Sequence, residues 1–166
     1  MDDKSAGPRK LNPAEEALAT YEELLRVKPN DVEALYNKGL TLIKLKRYEE
    51  ALPCFSEAIK IKPDYAEAWD KKGIALYNVK QDQDALSCFE EAIKIKPDYA
   101  EAWDNKGVVL GNSERDEEGL RCFEEALKIN PDFVQAWFHK ANALENLNRD
   151  EEAAAAYRET DKRSPS

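Results

Sequence analysis

The sequence predicts an all-α protein, a solenoid of stacked antiparallel helix pairs, and three observations lead to that prediction. Prolines recur every 34 residues, at Pro29, Pro63, Pro97, Pro131 and Pro165. The segment EAIKIKPDYAEAWD at 57–70 returns unchanged at 91–104. Between the prolines, apolar residues recur at steps of three and four, which is the spacing of one helical face. Because a repeat of fixed length indicates an array of similar units, each unit is expected to bury its apolar faces against its neighbours.

Each full unit is expected to hold two helices. In the second unit, the first apolar stripe consists of Ala66, Trp69, Gly73, Leu76 and Tyr77. After a polar break at 80–82, the second stripe consists of Ala85, Phe89, Ala92 and Ile93. We expect the small residues Gly73 and Ala85 to let the two helices approach closely. Trp69 and Phe89 are expected to fill the space around them.

The same phase places the helices of all four units. First helices are predicted at 32–45, 66–79, 100–113 and 134–147. Second helices are predicted at 48–61, 82–95, 116–129 and 150–163. One more helix is predicted before them at 13–28, with Asn12 as its cap, Pro13 in its first position and Glu15 completing a capping-box pattern.

The two ends of the array differ. Ala17, Tyr21 and Leu24 have the phase of a second helix, so helix 13–28 is interpreted as half of a unit that lacks its first helix. At the other end, positions that are apolar in earlier second helices become Ala154, Asp161 and Arg163. Small or charged residues at these positions are what a terminal cap requires, because no further unit covers them.

The predicted organisation is a flexible leader, one domain and a frayed tail. The leader is 1–11, the domain is 12–163 and the tail is 164–166. The domain divides into a half-repeat at 13–31 and full repeats at 32–65, 66–99, 100–133 and 134–163.

Further landmark positions keep their phase in every unit. Trp69, Trp103 and Trp137 align with Leu35; Gly39, Gly73 and Gly107 align with Ala141; Ala51, Ala85 and Ala153 align with Gly119; Phe55, Phe89 and Phe123 align with Tyr157. Across 32–165 this resembles the W-x2-L-G-x2-Y, A-x3-F, P pattern of the tetratricopeptide-repeat family. The resemblance implies a right-handed superhelix that acts as a non-enzymatic protein–protein interaction scaffold. It also implies that the first helices line a concave groove in which a peptide binds.

Carrying the family's groove positions over by phase gives the candidate binding residues. They are Glu33, Tyr36, Asn37, Leu40, Glu67, Asp70, Lys71, Ile74, Tyr77, Glu101, Asp104, Asn105, Val108, Phe138 and His139. An apolar strip that includes Leu40, Ile74 and Val108 is flanked by acids, which are expected at exposed positions. Asparagine side chains such as Asn105 both donate and accept, so they suit the backbone of an extended peptide. The predicted ligand is a basic, amphipathic peptide; the alternative is that these residues are ordinary solvated helix faces.

One subclass of the family grips a terminal carboxylate with lysine, asparagine and arginine at fixed groove positions. Of those positions only Asn105 matches, and acids stand where the carboxylate would bind. The sequence therefore disfavours that subclass.

The residues that resemble catalytic or metal-binding groups are interpreted otherwise. Cys54, Cys88 and Cys122 are spaced by one repeat, and packed helices lie ~8–10 Å apart, beyond the ~7 Å that a disulfide allows between Cα atoms. They are interpreted as small packing residues. His139 is the only histidine and has no cysteine or carboxylate within a helical turn. The sequence therefore predicts neither an enzyme nor a metal or cofactor site.

Composition limits the partners. The net charge of -9 disfavours nucleic acid, whose phosphates repel an acidic surface. No apolar run approaches the roughly 20 residues that cross a bilayer, and no secretory signal is recognised at the start, so a cytoplasmic location is expected.

Two other functions stay open at this point. The first is self-assembly through the ends of the array, including a weak homodimer through Ala17, Tyr21 and Leu24, which are expected to be partly exposed. The second is a regulatory fragment of a larger enzyme or complex.

Overall fold

The computed structural model describes residues 12–164, and within that range the chain forms nine helices and no strand. They are α1 (Pro13–Val27), α2 (Val32–Lys44), α3 (Tyr48–Ile61), α4 (Ala66–Asn78), α5 (Asp82–Ile95), α6 (Ala100–Asn112), α7 (Asp116–Ile129), α8 (Val134–Asn146) and α9 (Asp150–Arg163). Every helix lies where the sequence predicts it, and no end differs by more than one residue. The expected leader at 1–11 and the last two residues of the expected tail lie outside the described residues.

The start of α1 shows why the local sequence fixes its first turn. The side-chain oxygen of Asn12 accepts hydrogen bonds from the backbone N–H groups of Ala14 and Glu15, both at 3.0 Å. In return the Glu15 carboxylate accepts from the backbone N–H of Asn12 at 2.9 Å. The predicted capping box is therefore confirmed, and it satisfies N–H groups that have no partner inside the helix.

The helices stack as a solenoid of antiparallel pairs. The pairs are α2–α3, α4–α5, α6–α7 and α8–α9, and the second helix of each pair packs against the first helix of the next. The first helices α2, α4, α6 and α8 also contact one another in sequence, while α1 packs on α2. The first helices therefore form a continuous layer, which is the layer that carries the candidate groove.

A buried phenylalanine closes each of the first three pairs. Phe55, Phe89 and Phe123 are at most 3% exposed. Each ring lies directly over a glycine of the partner helix; a Cβ atom added to Gly107, for example, would lie 2.5 Å from Cε1 of Phe123. The predicted close approach at these glycines is confirmed, and the space that the glycine leaves is occupied by the aromatic ring itself.

The repeated tryptophans hold the first helices α4, α6 and α8 to the loops before them. The indole N–H of Trp69 donates to the carbonyl of Pro63 at 3.0 Å, and that of Trp103 donates to the carbonyl of Pro97 at 3.1 Å. Trp137 repeats the bond with Pro131 at 2.8 Å. Tryptophan and proline are thus joined by a hydrogen bond at each of these three junctions, which explains why the two recur at a fixed spacing.

The last helix carries the features of an end. Ala154 and Asp161 are exposed on α9, where the equivalent residues of earlier second helices are apolar. Arg163 covers the outer face of Trp137 with its guanidinium carbon 5.3 Å from the ring centre, and it pairs with Asp132 at 3.2 Å. No helix among residues 12–164 is both long enough and apolar enough to cross a membrane.

Candidate functional site

The candidate groove residues lie on the first helices, but they differ in accessibility. Three of them are exposed: Glu33, Glu101 and Phe138. Ten are half-buried: Tyr36, Asn37, Leu40, Glu67, Lys71, Ile74, Tyr77, Asn105, Val108 and His139. Asp70 and Asp104 are buried, at 0% and 4% exposure. A ligand in the groove can reach the first two groups directly.

The expectation that Asp70 lies at an exposed position is wrong. Its Oδ1 accepts a hydrogen bond from Asn105 Nδ2 at 2.8 Å, and its Oδ2 accepts from Lys71 Nζ at 2.8 Å. The hydroxyl of Tyr99 donates to the same Oδ2 at 3.4 Å. A buried carboxylate requires such donors, because an unpaired charge away from water is very costly. Asp70 is therefore a structural link between α4 and the next repeat.

Tyr99 keeps its proton in this arrangement. Burial, followed by the charge of Asp70, raises the pKa of the Tyr99 hydroxyl far above its ordinary value. The hydroxyl thus remains a donor to the carboxylate throughout the range in which the protein is expected to work.

The expectation of an exposed Asp104 is wrong for the same reason. Nδ1 of His139 lies 2.9 Å from Oδ1 and 3.1 Å from Oδ2 of Asp104. Since a carboxylate only accepts, the shared proton is on Nδ1 of the histidine ring. The sequence shows no acid within a helical turn of His139, and the partner comes instead from the first helix of the preceding repeat. This pair links α6 to α8.

The acids that remain accessible lie at the edge of the groove. Glu33 and Glu101 are exposed, and Glu67 is half-buried. Glu67 lies 3.3 Å from Lys96, which belongs to the loop between α5 and α6. The accessible acids among the expected groove residues therefore lie in the first turns of α2, α4 and α6.

The apolar strip runs along the centre. Leu40 packs on the core around Phe55, Ile74 on the core around Phe89, and Val108 on the core around Phe123. All three are half-buried, so each keeps part of its apolar surface open to the groove. On α8 the equivalent position holds Asn142, and Phe138, which is 46% exposed, lies one helical turn before it.

Sequence reasoning assigned no role to a cavity between α6 and α8. The cavity measures about 110 Å³ and opens where Gly111 stands in the phase that holds Ile43, Tyr77 and Glu145 in the other repeats. Its polar lining includes Asn112, Asp116, Asn142 and Asn146. Comparison of the four repeats shows the missing side chain, but only the fold shows that the space stays open.

The cysteines are not reactive groups. Cys54, Cys88 and Cys122 are free and buried. Burial raises the pKa of Cys88 and Cys122 to about 11, so both thiols stay protonated at neutral pH. No group of histidine, cysteine and acidic side chains within residues 12–164 is arranged to hold a metal ion.

One side of α1 is not covered by any other part of residues 12–164. Leu18 is buried against the first repeat, whereas Ala17 and Tyr21 are half-buried. Leu24 is 36% exposed and Val27 is 70% exposed. The predicted partial exposure of Ala17, Tyr21 and Leu24 is confirmed, and Val27 adds to the same end of α1.

Comparison with known proteins identifies the family. Family models described as tetratricopeptide repeat match residues 32–65, 66–99 and 105–166. The chain is a tetratricopeptide-repeat protein. No curated protein sequence matches it.

Solved structures of other proteins share the fold. A structure of MamA 41-end from Desulfovibrio magneticus RS-1 is 27% identical, with a TM-score of 0.81 over 90% of this chain and 85% of that one. Another MamA crystal structure is 23% identical, with a TM-score of 0.79 over 90% and 82% of the two chains. YrrB, described as a TPR protein with an unusual peptide-binding site, is 22% identical, with a TM-score of 0.73 over 92% and 79%.

Proposed function

We propose that this tetratricopeptide-repeat protein is a non-enzymatic scaffold that binds an extended polypeptide segment along its first helices. The observation that carries the proposal is the half-buried strip of Leu40, Ile74 and Val108 on three successive first helices. Partly open apolar residues in a row can bury anchors of a ligand, and apolar burial is the main favourable term in most protein association. The similarity to YrrB, a TPR protein with a peptide-binding site, supports this reading.

The proposed ligand is basic as well as apolar. Glu33, Glu67 and Glu101 border the strip, and the whole chain carries a net charge of -9. A one-sided acidic border raises the association rate of a cationic peptide and makes binding weaken with salt. Because Asp70 and Asp104 are buried and paired, the salt-dependent part of binding is assigned to the three glutamates.

Polar side chains can position the peptide backbone. Asn37 is half-buried on α2, and Asn78 and Asn112 are exposed near the ends of α4 and α6. An amide side chain both donates and accepts, which matches the alternating groups of an extended backbone. The amides of Asn78 and Asn112 each donate one N–H within the protein, as that of Asn105 does to Asp70. Each keeps its second N–H and its carbonyl oxygen for a peptide.

Selection from a random peptide library tests the proposal. Peptides that bind the wild-type protein are expected to be enriched in lysine, arginine and apolar residues. Ile74→Asp places a charge in the apolar strip and is expected to abolish their binding at any salt concentration. Glu67→Lys with Glu101→Lys is expected to weaken binding mainly at low salt, which flattens the salt dependence.

Ser87→Asp is the matched control, because Ser87 is exposed on the second helix α5 of the same repeat as Ile74. It introduces the same charge on the opposite layer. Selected peptides that bind wild type and Ile74→Asp equally, yet fail on Ser87→Asp, would move the binding surface to the second helices.

Self-assembly is a second candidate, and the exposed Leu24 and Val27 on α1 favour it. Two copies could cover these residues by pairing their α1 helices about a twofold axis as a weak homodimer.

We also propose a cytoplasmic location for the protein, since three free buried thiols suit a reducing compartment.

A further inference from the structure

The cavity at Gly111 exists because one side chain of the repeat pattern is missing. A Cβ atom added to Gly111 would meet only Asp116 Oδ1, at 3.8 Å, which is an ordinary contact. Gly107, one turn earlier, would instead clash with Phe123. Glycine at 107 is therefore needed for packing, whereas glycine at 111 leaves open space that the surrounding helices do not fill.

The preceding repeat shows what the space would otherwise hold. There the equivalent residue is Tyr77, whose ring is half-buried and whose hydroxyl accepts a hydrogen bond from Asn112 Nδ2 at 2.7 Å. At Gly111 no such ring is present, and a cavity of about 110 Å³ remains. A single water molecule needs only about 10–15 Å³ on the same measure. The cavity therefore has room for the end of a ligand side chain.

The floor of the cavity is apolar. Val108, Phe123 and Ala143 line it, and Phe123 and Ala143 belong to the buried core of the last two repeats. Such a floor matches the methylene stem of a long side chain, which loses unfavourable contact with water when it packs there.

The polar lining combines amide groups with one acidic group, the carboxylate of Asp116. Asn146 Nδ2 donates to Asp116 Oδ1 at 2.8 Å, and Asn112 Nδ2 donates to the hydroxyl of Tyr77. Each of these two amides keeps its second N–H and its carbonyl oxygen, and Asp116 keeps its second carboxylate oxygen. None of these three oxygens has a hydrogen bond to another of the described residues.

His139 also lines the cavity, and its Nδ1 is bonded to Asp104. Beside it, the carbonyl oxygen of Asn142 accepts from Tyr157 at 2.6 Å, so the free polar groups of Asn142 are its N–H donors. A ligand group that enters therefore meets one carboxylate together with amide groups that both donate and accept. Because Asp116 is the only acidic residue of the lining, the best match is a positively charged donor.

We infer that the Gly111 cavity receives the cationic side chain of a lysine or arginine in the bound polypeptide. The stem packs on Val108 and Phe123, and the charged head donates to Asp116 and to the carbonyl oxygens of Asn112 and Asn146. The inference rests on the proposed peptide-binding function and adds to it one anchor of defined chemistry at a defined place. Charge-assisted hydrogen bonds of this kind are about twice as strong as neutral ones, so the head contributes selectivity.

Blocked tripeptides test the chemistry without knowledge of the natural partner. Acetyl-Gly-Lys-Gly-amide and its arginine counterpart are expected to shift the NMR signals of the Gly111 backbone amide and the Asn112 and Asn146 side-chain amides. The norleucine tripeptide has the same stem length without the ammonium group and is expected to bind about tenfold more weakly. The glutamate tripeptide is expected to cause no shift at these groups.

Variants of the cavity test its position. Gly111→Tyr copies Tyr77 of the preceding repeat and is expected to fill the space, so lysine binding is lost while the melting temperature stays the same or rises. Asp116→Asn keeps the shape and removes the charge, and it is expected to erase the preference for lysine over norleucine. Ser87→Ala, on the exposed side of α5, is the control and is expected to change neither.

Three results would overturn the inference. The first is that wild type binds the lysine and norleucine tripeptides equally, and the second is that the lysine tripeptide causes the same NMR shifts in Gly111→Tyr as in wild type. The third is that the lysine tripeptide does not bind at concentrations up to about 20 mM, at which the binding of even a single side chain would be detected. Ile74→Asp separates this from the wider function, because it is a repeat away and should leave tripeptide binding intact. Library-selected peptides that need Ile74 but ignore Gly111→Tyr would keep the groove and remove the cavity as an anchor site.

Discussion

Asn105 donates from Nδ2 to Oδ1 of Asp70 at 2.8 Å, and this bond joins two adjacent first helices. The next interface repeats the relationship with other residue types, since His139 bonds to Asp104 across the same sequence separation of 35. In both cases a buried aspartate bonds to a residue of the next repeat. That residue lies one position after the one that is equivalent to the aspartate. The layer of first helices is therefore tied together by polar contacts as well as by its apolar core.

Replacing Asp70 should destabilise the fold. Asp70→Ala leaves the amide of Asn105 and the hydroxyl of Tyr99 without their acceptor, which we expect to lower the free energy of unfolding by about 1–3 kcal/mol. Asp70→Lys buries an unpaired cation beside Lys71, and we expect a larger loss, about 3–5 kcal/mol. Asp70→Asn retains an acceptor for Asn105 and should be mildest. Urea unfolding followed by circular dichroism measures all three.

Glu101→Lys is the control for these variants, because Glu101 is exposed in the first turn of α6. Its free energy of unfolding should change by no more than about 0.5 kcal/mol. A stability of Asp70→Lys as high as that of Glu101→Lys would contradict the structural role of the buried carboxylate.

Two glycines of α6 should respond to alanine in opposite directions. In Gly107→Ala the new methyl group meets Phe123 at 2.5 Å, so the ring must shift, and we expect a loss of about 1–3 kcal/mol. In Gly111→Ala the methyl group enters open space, and the better helix propensity of alanine should add up to about 1 kcal/mol. Urea unfolding of the two variants in parallel measures both changes in the free energy of unfolding. Changes of the same sign in the two variants would contradict the packing described.

The helices were predictable from sequence because repeated local signals agree with one another. The phase of Trp69 and Phe89, the capping box at Asn12 and the prolines fix every helix to within one residue. The burial of Asp70 was not predictable, because it depends on Asn105 and Tyr99 from the next repeat, and an aspartate on a helix is more often solvated. The cavity at Gly111 was not predicted, because in the sequence a glycine within a helix indicates only a lower helix propensity. The position of α8 in the fold shows that no other side chain fills the space left at Gly111.

The buried thiols should make the protein less stable in alkali. Burial raises the pKa of Cys88 and Cys122 to about 11 from an ordinary value of 9.0. Between these values the unfolded chain loses the thiol protons while the folded chain keeps them, so unfolding is favoured as the pH rises. We expect a loss of about 2 kcal/mol per thiol by pH 11, from the cost of one pKa unit. Below pH 8 both states keep the thiol protons, so these groups should add no pH dependence to stability there.

Alanine at both positions removes the titration. The Cys88→Ala, Cys122→Ala double variant should start from a lower stability at neutral pH, but its unfolding free energy should fall less steeply between pH 9 and 11. Other groups that titrate in alkali are common to both proteins, so the difference between the two curves isolates the thiols. Parallel curves would show that the thiols ionise as easily in the folded protein as in the unfolded chain.

The uncovered side of α1 should support a weak, concentration-dependent dimer. Leu24 and Val27 are exposed at 36% and 70%, and Ala17 and Tyr21 lie half-buried where a preceding first helix would pack in a full repeat. Pairing two identical patches would bury this surface, and Leu24→Asp should prevent it by leaving a charge in the contact. Sedimentation equilibrium over a wide concentration range measures the association. Glu57→Lys, which changes the charge at an exposed position of α3, is the control. The dimer surface would be ruled out if the wild-type protein stayed monomeric at millimolar concentration, or if Leu24→Asp dimerised as the wild type does. These residues would then be solvent-exposed apolar side chains without a binding role, as many surface residues are.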